Sequence, residues 1–270
     1  QPYTPHHPYN PYNPYYPSYQ TPSPVALSQW TTTAAPAAST TTPTSSSTPS
    51  PTHNGTVPDS LDWREVGVEG PVKSQGTCGA CWAFAIMVAL ESQYAMKHAG
   101  NVSLSEQNLM ECSTQNYECR GRNTAIAMEY IAQNEGIGTE KSYPYLSYQT
   151  HCRYSTASIG GRDSGYVPIT SGDENALKKA VATIGPIAVG FDAGHSSFQY
   201  YESGVYFEPA CSSSALDHAI LVIGYGTDPE QGDYWLIKNS WGTSWGEEGK
   251  LARNRDSNCA IATEAVYPIV

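Results

Sequence analysis

The sequence predicts an α+β fold with two lobes and a cleft between them. Residues 82–90 would be apolar on nearly every face of a helix, which predicts a buried central helix. Further helical patterns cover 104–110 and 124–134, whereas the second half contains strand-like runs at 187–191, 219–225 and 234–238. Helices followed by strands favour two lobes, and substrates usually bind in the cleft between such units.

Residues 1–55 differ in composition from the rest, and we expect residues 56–270 to form the folded domain. The N-terminal segment has no Asp, Glu, Lys or Arg, begins with Pro-Tyr repeats and is rich in Ser, Thr, Pro and Ala over 31–52. Its prolines favour extended chain without an apolar face, so we interpret the segment as a disordered linker. The alternative is a tyrosine-rich tail that binds a partner, with a part typical of O-glycosylated stalks.

The charge balance is acidic, with 14 Lys and Arg against 25 Asp and Glu and a formal net charge of -11. The basic residues do not cluster, so we do not expect nucleic acid as a partner. No apolar run has the length that a membrane span requires, and no signal peptide is visible at Gln1.

The seven cysteines are an odd number, so at least one thiol stays unpaired if the others form disulfides. Sequons at Asn54 and Asn101 are a weak indication of N-glycosylation. Together with the cysteine count they favour folding in an oxidising compartment.

Cys81 lies where a loop turns into the predicted central helix, and Gln75 precedes it by six residues. In the first turn of a helix, the helix dipole favours the thiolate form of a cysteine. The Gln75 side chain could donate a hydrogen bond to the oxygen of a substrate under attack. This arrangement predicts a nucleophile at Cys81.

His218 is the best candidate for the partner of Cys81 because it directly precedes a strand-like run, which would hold it rigidly. Asn239 follows the run 234–238. If the two strands pair, the Asn239 side-chain oxygen could accept from one imidazole nitrogen and leave the other for Cys81. Trp241 could cover that hydrogen bond. From the residues alone, a histidine that merely begins a strand and a tryptophan in the core remain alternatives.

Four blocks of this sequence resemble the signature blocks of the papain-like cysteine proteases, in particular the cathepsin L group. They cover residues 75–84, 216–219, 224–226 and 239–242. Their order is also that of the family, and the resemblance extends from about Val57 to Val270. It implies a papain-like fold with a helical left lobe that contains the central helix, a β-barrel-like right lobe and an active-site cleft between them.

The resemblance implies a cysteine endopeptidase that works through an acyl-enzyme intermediate. Cys81 would be the nucleophile, a thiolate paired with protonated His218, which gives its proton to the leaving amine. Asn239 would orient His218, and Gln75 would form the oxyanion hole with the backbone N–H of Cys81.

Several expectations about partners and location follow from the same resemblance. We expect protein or peptide substrates, protein inhibitors of the cystatin type, a monomer, and no metal or other cofactor. The expected location is outside the cell or in the lysosomal or endosomal lumen.

The family pattern also implies three disulfides, whereas counting alone leaves the pairing open. The implied pairs are Cys78–Cys119, Cys112–Cys152 and Cys211–Cys259. A zinc site at Cys78 and Cys81 lacks a second pair of ligands with similar spacing, and a redox site lacks the surrounding βαβ pattern.

The sequence departs from the family at Arg122, which stands where a second glycine usually lines the cleft. Glu264 corresponds to the position of an acid in cathepsin B, and Gly190 to a pocket-wall position where a small residue leaves room. We expect a roomy, partly polar pocket that accepts arginine or apolar residues at the second position before the cut, unless Glu264 pairs with Arg122. The substrate-binding residues implied by the resemblance are Gly79, Gly121, Arg122, Gly190, Asp217, Trp241 and Glu264.

Two other functions remain open at this point. Arg122 could impair the cleft and leave a protease-like protein that binds or regulates, or residues 1–55 could anchor the enzyme to a matrix or to glycans. The inserted loop of cathepsin B is not evident, which favours endopeptidase action over the removal of dipeptides. Residues 1–55 lack the pattern of a helical inhibitory propeptide, so we do not expect them to fold as one.

Overall fold

The fold was determined from a computed structural model that describes residues 57–98, 100–121, 123–246 and 249–270. The expectations for residues 1–55, for Asn54 and for Arg122 lie outside these residues. Within the described part, the helices are α1 (Trp63–Val66), α2 (Cys81–His98), α3 (Glu106–Cys112), α4 (Thr124–Gln133), α5 (Glu174–Thr183) and α6 (Ser196–Gln199). None of them combines the length and the apolar character that crossing a bilayer requires.

The strands are short except for two long ones near the end of the chain. They are β1 (Leu61–Asp62), β2 (Ile137–Gly138), β3 (Ile159–Gly161), β4 (Tyr166–Pro168), β5 (Ile187–Phe191), β6 (Val205–Tyr206), β7 (His218–Asp228), β8 (Gly232–Lys238), β9 (Lys250–Ala252) and β10 (Ala265–Pro268). The strands β2 and β3 pair as a small separate sheet. The result is the predicted α+β architecture, with helices mainly in the first half and strands mainly in the second.

The main sheet has the strand order β4-β10-β5-β7-β8-β9-β6, and β1 pairs with β7. The central strand β7 runs antiparallel to β5 on one side and to β8 on the other. Leu221 of β7 lies opposite Lys238 of β8, so the start of β7 and the end of β8 meet at the same edge of the sheet. This register brings His218 and Asn239 to that edge.

Two hydrophobic cores lie on opposite faces of the sheet, and β7 contributes to both. Ala219, Leu221 and Ile223 belong to the core built around α2, whereas Ile220 and Val222 belong to the other core. Alternate residues of a strand point to opposite faces, so a strand packed on both sides must be apolar throughout. This explains the continuous apolar run 219–225.

The central helix α2 is buried from Cys81 to Gln93, as its apolar composition predicts. The neighbouring helix α3 differs from the expectation. The pattern over 104–110 predicts a short amphipathic helix, yet Glu106, Asn108 and Glu111 are buried as well. Several of their polar atoms find partners inside the protein; the side-chain oxygen of Asn108, for example, accepts a hydrogen bond from the backbone N–H of Gly138.

Three disulfides connect the chain, namely Cys78–Cys119, Cys112–Cys152 and Cys211–Cys259. They are the pairs that the family resemblance implies. On the chain-entropy model each would stabilise the fold by about 3–4 kcal/mol, because each closes a loop of several tens of residues. Cys81 is the free cysteine and is buried.

Buried ion pairs connect α2 to its neighbours. The Lys73 ammonium lies 2.6 Å from Glu106 of α3 and 3.2 Å from Glu91 of α2. Lys238 of β8 pairs with Glu69 at 2.9 Å, and Glu69 also accepts a hydrogen bond from Ser92 of α2. Charged groups inside a protein are stable only when paired in this way.

Glu106 has an unusual protonation equilibrium because two carboxylates share Lys73. Burial raises the pKa of Glu106 to about 8. The attraction of Lys73 lowers this pKa and the charge of Glu91 raises it, but burial has the largest effect. The Glu106 Oε2 atom finds no hydrogen-bond partner among the described residues. Burial therefore extends the neutral form of Glu106 to a higher pH than in an exposed carboxyl group, and above that pH the carboxylate pairs with Lys73.

We predict that Glu106 makes the fold less stable as the pH rises. A carboxyl group with a raised pKa contributes stability below its unfolded pKa and loses it as the pH rises through the folded value of about 8. The comparison is between a Cys81→Ser protein and the same protein with Glu106→Gln added. As the pH rises from about 5 to about 8, the unfolding free energy of the first should fall relative to that of the second, by up to about 1.4 kcal/mol per pH unit. Urea unfolding at several pH values measures this difference.

The control is Glu65→Gln, which changes an exposed carboxylate on α1 and should leave the pH dependence as it is. If the Glu106→Gln and parent curves run parallel over this pH range, Glu106 is not protonated in the fold as inferred.

Candidate active site

Cys81 is the first residue of α2, where the loop before it is tightly held. The Cys78–Cys119 disulfide fixes that loop, and the backbone N–H of Gly79 donates to the carbonyl of Cys119 at 3.0 Å. A Cβ atom at position 79 would lie 2.4 Å from the Cys119 carbonyl oxygen, so this close approach requires glycine. The sulfur of Cys81 accepts hydrogen bonds from the backbone N–H groups of Trp82 and Ala219.

His218, at the start of β7, lies between Cys81 and Asn239. Its Nε2 atom is 2.8 Å from the side-chain oxygen of Asn239. The His218 side chain also hydrogen-bonds to Cys81, and Nδ1 is the ring nitrogen left for that contact. The three side chains thus form a line from thiol to imidazole to amide across the junction of α2 and the sheet.

Trp241 covers the imidazole of His218. The two ring centroids are 4.9 Å apart and the planes are inclined by 37°. Trp241 also packs against Phe198 and Trp245, at centroid distances of 5.5 and 5.4 Å. This aromatic cluster limits the access of water to the His218–Asn239 hydrogen bond, while Trp241 keeps its place in the packing of the sheet.

The electrostatics of the pair favour the charged forms of both groups. Burial would raise the pKa of the Cys81 thiol, but the attraction of His218 and the hydrogen bonds to the sulfur outweigh it and lower this pKa below its usual value. Burial would lower the pKa of His218, but the charge of Cys81 and the hydrogen bonds with Cys81 and Asn239 raise it. Both shifts favour a thiolate next to an imidazolium over a neutral thiol next to a neutral imidazole.

Gln75 is held next to Cys81 by both ends of its side-chain amide. Its Nε2 atom donates to the Cys78 carbonyl at 2.9 Å, and its Oε1 atom accepts from the Ser240 hydroxyl at 2.6 Å. Because a hydroxyl hydrogen points at Oε1, the amide nitrogen must face the other way, and its second N–H stays available. Cys81, His218, Asn239 and Gln75 are each between 7 and 9% exposed, so the site is nearly closed.

Gly79 and Gly121 lie side by side along the wall of the site. A Cβ atom on Gly121 would lie 3.5 Å from the carbonyl oxygen of Gly79, and Gly121 adopts a φ of +73°. The backbone N–H groups of the two glycines donate to the carbonyls of Cys119 and Glu118. The next residue of the predicted wall, Arg122, lies outside the described residues.

Glu264, Gly190 and Thr124, of which the first two are predicted substrate-binding residues, lie in contact with one another. The Thr124 hydroxyl donates to Glu264 at 3.0 Å, and the Gly190 N–H donates to the Glu264 carbonyl at 2.7 Å. Burial raises the pKa of the Glu264 carboxyl, against the hydrogen bonds from Thr124. The structure thus provides Thr124 as a partner for this acid.

Gly190, expected to be a small residue of the pocket wall, lies directly beside the side chain of Leu216. A Cβ atom at this position would lie 2.9 Å from a methyl group of Leu216, so the Leu216 side chain occupies the space above the glycine. Leu216 is about one third exposed and presents an apolar surface beside Gly190. Leu216 belongs to the block 216–219, and nothing local in the sequence shows on which residue its side chain packs.

Asp217 forms a hydrogen bond with the backbone of a neighbouring loop. Its Oδ1 atom accepts the N–H of Ala193 at 2.8 Å. Nearby, ligand atoms of Asp192, His195 and Cys211 lie within 4.8 Å of one another. The Cys211 sulfur is bonded to Cys259 and supplies no thiolate, which leaves the side chains of Asp192 and His195, 3.4 Å apart, beside a disulfide.

The fold and the thiol–imidazole–amide line define a papain-like α+β protein, and comparisons with known proteins agree. The model of the family described as papain family cysteine protease matches residues 57–269. A "Cathepsin L-like" protein of Caenorhabditis elegans is 52% identical over 221 residues, which cover 80% of this chain and 66% of that protein.

Two solved structures show the same fold. The structure of digestive procathepsin L 3 from the Tenebrio molitor larval midgut matches with a TM-score of 0.76 and 40% identity, over 83% of this chain and 73% of that one. The bromelain protease of Ananas comosus, solved with the E64 inhibitor, matches with a TM-score of 0.74 and 39% identity, over 79% of this chain and 100% of that one.

The chain belongs to the papain family of cysteine proteases. It spans about two thirds of the length of the C. elegans relative.

We predict that Asn239 supports the charged form of His218. Asn239→Ala removes the acceptor at Nε2, which is one of the interactions that raise the pKa of His218. The rate at which iodoacetamide alkylates Cys81 should rise with pH as the thiolate forms. The part of this rate that depends on protonated His218 should be lost at a lower pH in Asn239→Ala than in the wild type, because the imidazolium of the variant gives up its proton more easily. Stopped-flow alkylation across the pH range measures both limbs.

Asn134→Ala is the matched control, since Asn134 donates to the Gly136 carbonyl at the end of α4. It should reproduce the wild-type profile. An Asn239→Ala profile that coincides with the wild-type profile would show that Asn239 does not act on the imidazole.

Proposed function

We propose that this protein is a cysteine endopeptidase that hydrolyses peptide bonds within proteins. The observation that carries the proposal is the buried line Cys81–His218–Asn239, whose pKa shifts favour a thiolate next to an imidazolium. A thiolate with an adjacent proton donor is the arrangement that acyl transfer requires.

The reaction proceeds in two halves. The Cys81 thiolate attacks the carbonyl carbon of the scissile bond, and the C–N bond breaks as His218 passes its proton to the leaving nitrogen. This leaves an acyl-enzyme and a neutral imidazole. His218 then takes a proton from a water molecule that attacks the thioester carbon, and release of the acid product restores the thiolate–imidazolium pair.

The oxyanion that forms in each half is stabilised by two donors. We assign these roles to the backbone N–H of Cys81, at the start of α2, and to the second N–H of the Gln75 amide, whose nitrogen donates to the Cys78 carbonyl. Donors fixed in advance, in a site from which water is largely excluded, stabilise the developing charge more than water does.

We predict that Cys81→Ser abolishes both peptide hydrolysis and labelling by an epoxide-type thiol inhibitor, because Cys81 is the free thiol among the described residues. Hydrolysis of a peptide amide substrate should fall to the background of the assay, while the unfolding midpoint stays close to that of the wild type. His151→Ala, at a histidine outside the site, should keep full activity.

Hydrolysis that persists in Cys81→Ser would refute this mechanism. If the wild type is labelled but does not hydrolyse peptides, the alternative from the sequence holds, and the protein binds or regulates through an impaired cleft.

The second part of the proposal concerns the substrate residue at the second position before the scissile bond. We assign the pocket for this residue to Glu264 with its partner Thr124, and to the apolar side chain of Leu216 beside Gly190. An apolar side chain would pack on Leu216, and an arginine would meet Glu264. The pocket therefore accepts both kinds of residue at the second position before the cut.

We predict that the preference for arginine at this position depends on pH through Glu264. Because its pKa is raised, the Glu264 carboxyl loses its proton at a higher pH than an ordinary glutamate does. The ratio of kcat/KM for an Arg-Arg substrate to that for a Phe-Arg substrate should rise with pH, and Glu264→Ala should lower it about tenfold and make it flat. Glu230→Ala, in the exposed turn between β7 and β8, is the control. An unchanged ratio in Glu264→Ala would exclude Glu264 from selectivity.

The proposed surroundings of the enzyme follow from its disulfides and its family. Three disulfides fit an oxidising compartment, so we place the protein outside the cell or in the lysosomal or endosomal lumen, acting as a monomer that cystatin-type inhibitors bind. Asn101 is exposed and can carry an N-glycan there. A loss of mass on enzymatic deglycosylation that is absent in Asn101→Gln would identify the glycan.

A further inference from the structure

Tyr145 reaches the oxyanion loop from a separate part of the chain. Its hydroxyl donates to the main-chain carbonyl of Gln75 at 2.8 Å, across 70 residues of sequence. The ring lies edge-on to Phe84 of α2 with a centroid distance of 4.8 Å and an interplanar angle of 87°. The backbone N–H of Tyr145 donates to Glu140 at 2.9 Å. The hydroxyl is therefore fixed in position at both the ring and the backbone.

The segments around Gln75 and Tyr145 are packed closely. Gly76 has a φ of +61°, and a Cβ atom there would lie 2.7 Å from the hydroxyl oxygen of Ser147. The Ser147 side chain also hydrogen-bonds to the Tyr145 hydroxyl. Neither segment can shift without displacing the other.

The direction of the Gln75 side chain depends on the two peptide planes that flank its Cα atom. The N–H of Gln75 belongs to the first plane and donates to the Ser240 carbonyl at 2.8 Å. The carbonyl of Gln75 belongs to the second plane and accepts from Tyr145. Fixing both planes fixes φ and ψ, and these set the direction of the Cα–Cβ bond.

The Tyr145 hydroxyl keeps its proton well above neutral pH. Burial raises the pKa of Tyr145 to about 12, and the nearby negative charges of Glu106 and Cys81 add to this effect. It is thus a constant donor.

We propose that Tyr145 is a positioning residue for the oxyanion hole, acting on the Gln75 amide through the main-chain carbonyl of Gln75. The proposal rests on the proposed function. A donor must lie about 2.7–3.1 Å from the oxyanion to stabilise it, so a small rotation at Gln75 weakens the transition state more than it weakens substrate binding.

The test is Tyr145→Phe, which keeps the ring packing on Phe84 and removes the hydroxyl. We expect kcat for a peptide amide to fall about 3- to 10-fold, the effect of losing one hydrogen bond, with KM changed by less than about twofold. The affinity for a peptide aldehyde should fall by the same factor, because its adduct with Cys81 places an oxygen in the hole. Alkylation by iodoacetamide forms no oxyanion, so its rate and pH profile should stay as in the wild type.

Two further variants separate positioning from a general loss of structure. Tyr94→Phe removes a hydroxyl that donates to the Arg162 carbonyl at 3.1 Å and should leave kcat unchanged. In a Gln75→Ala background, Tyr145→Phe should cause no additional loss of kcat, since the group it positions is gone.

Each outcome gives a decision. An unchanged kcat in Tyr145→Phe, a loss that persists in the Gln75→Ala background, or a changed alkylation profile overturns the role of Tyr145. A wild-type protein that does not hydrolyse the peptide overturns the proposed function instead, so the two failures are distinguishable.

Discussion

The packing of α2 against β7 is the constraint on which the site depends. Cys81 is the first residue of the helix and His218 is the first residue of the strand, so their contact follows from how the two elements cross. The helix is buried from Cys81 to Gln93, and β7 contributes side chains to the cores on both faces of the sheet. A reactive pair mounted on two such elements has little freedom to separate.

The same junction carries the charges that the site needs. Taking a thiolate and an imidazolium out of water is costly, and the structure offsets this with the N–H groups of Trp82 and Ala219 on the sulfur and with Asn239 on the ring. Deeper along α2, the pairs of Lys73 and Lys238 with buried glutamates connect the helix to α3 and to β8. Buried charge thus links the same elements that hold Cys81 and His218.

Much of the framework could be predicted from the sequence because it depends on local patterns. The all-round apolar run predicted α2, and the strand-like runs predicted β5, β7 and β8. The polar residues of α3, by contrast, were misjudged, since their buried partners lie far along the chain. Leu216 over Gly190 and Tyr145 on Gln75 were missed for the same reason: a contact between distant segments leaves no periodic signal.

The most direct test of the central claim is an NMR titration of the His218 imidazole in the wild type and in Cys81→Ser. The account holds that the charge of the Cys81 thiolate keeps the pKa of His218 above its ordinary value of 6.5. It predicts a raised pKa in the wild type and a clearly lower one in Cys81→Ser, where burial acts without the thiolate. The same pKa in both proteins would contradict a thiolate–imidazolium pair at this junction.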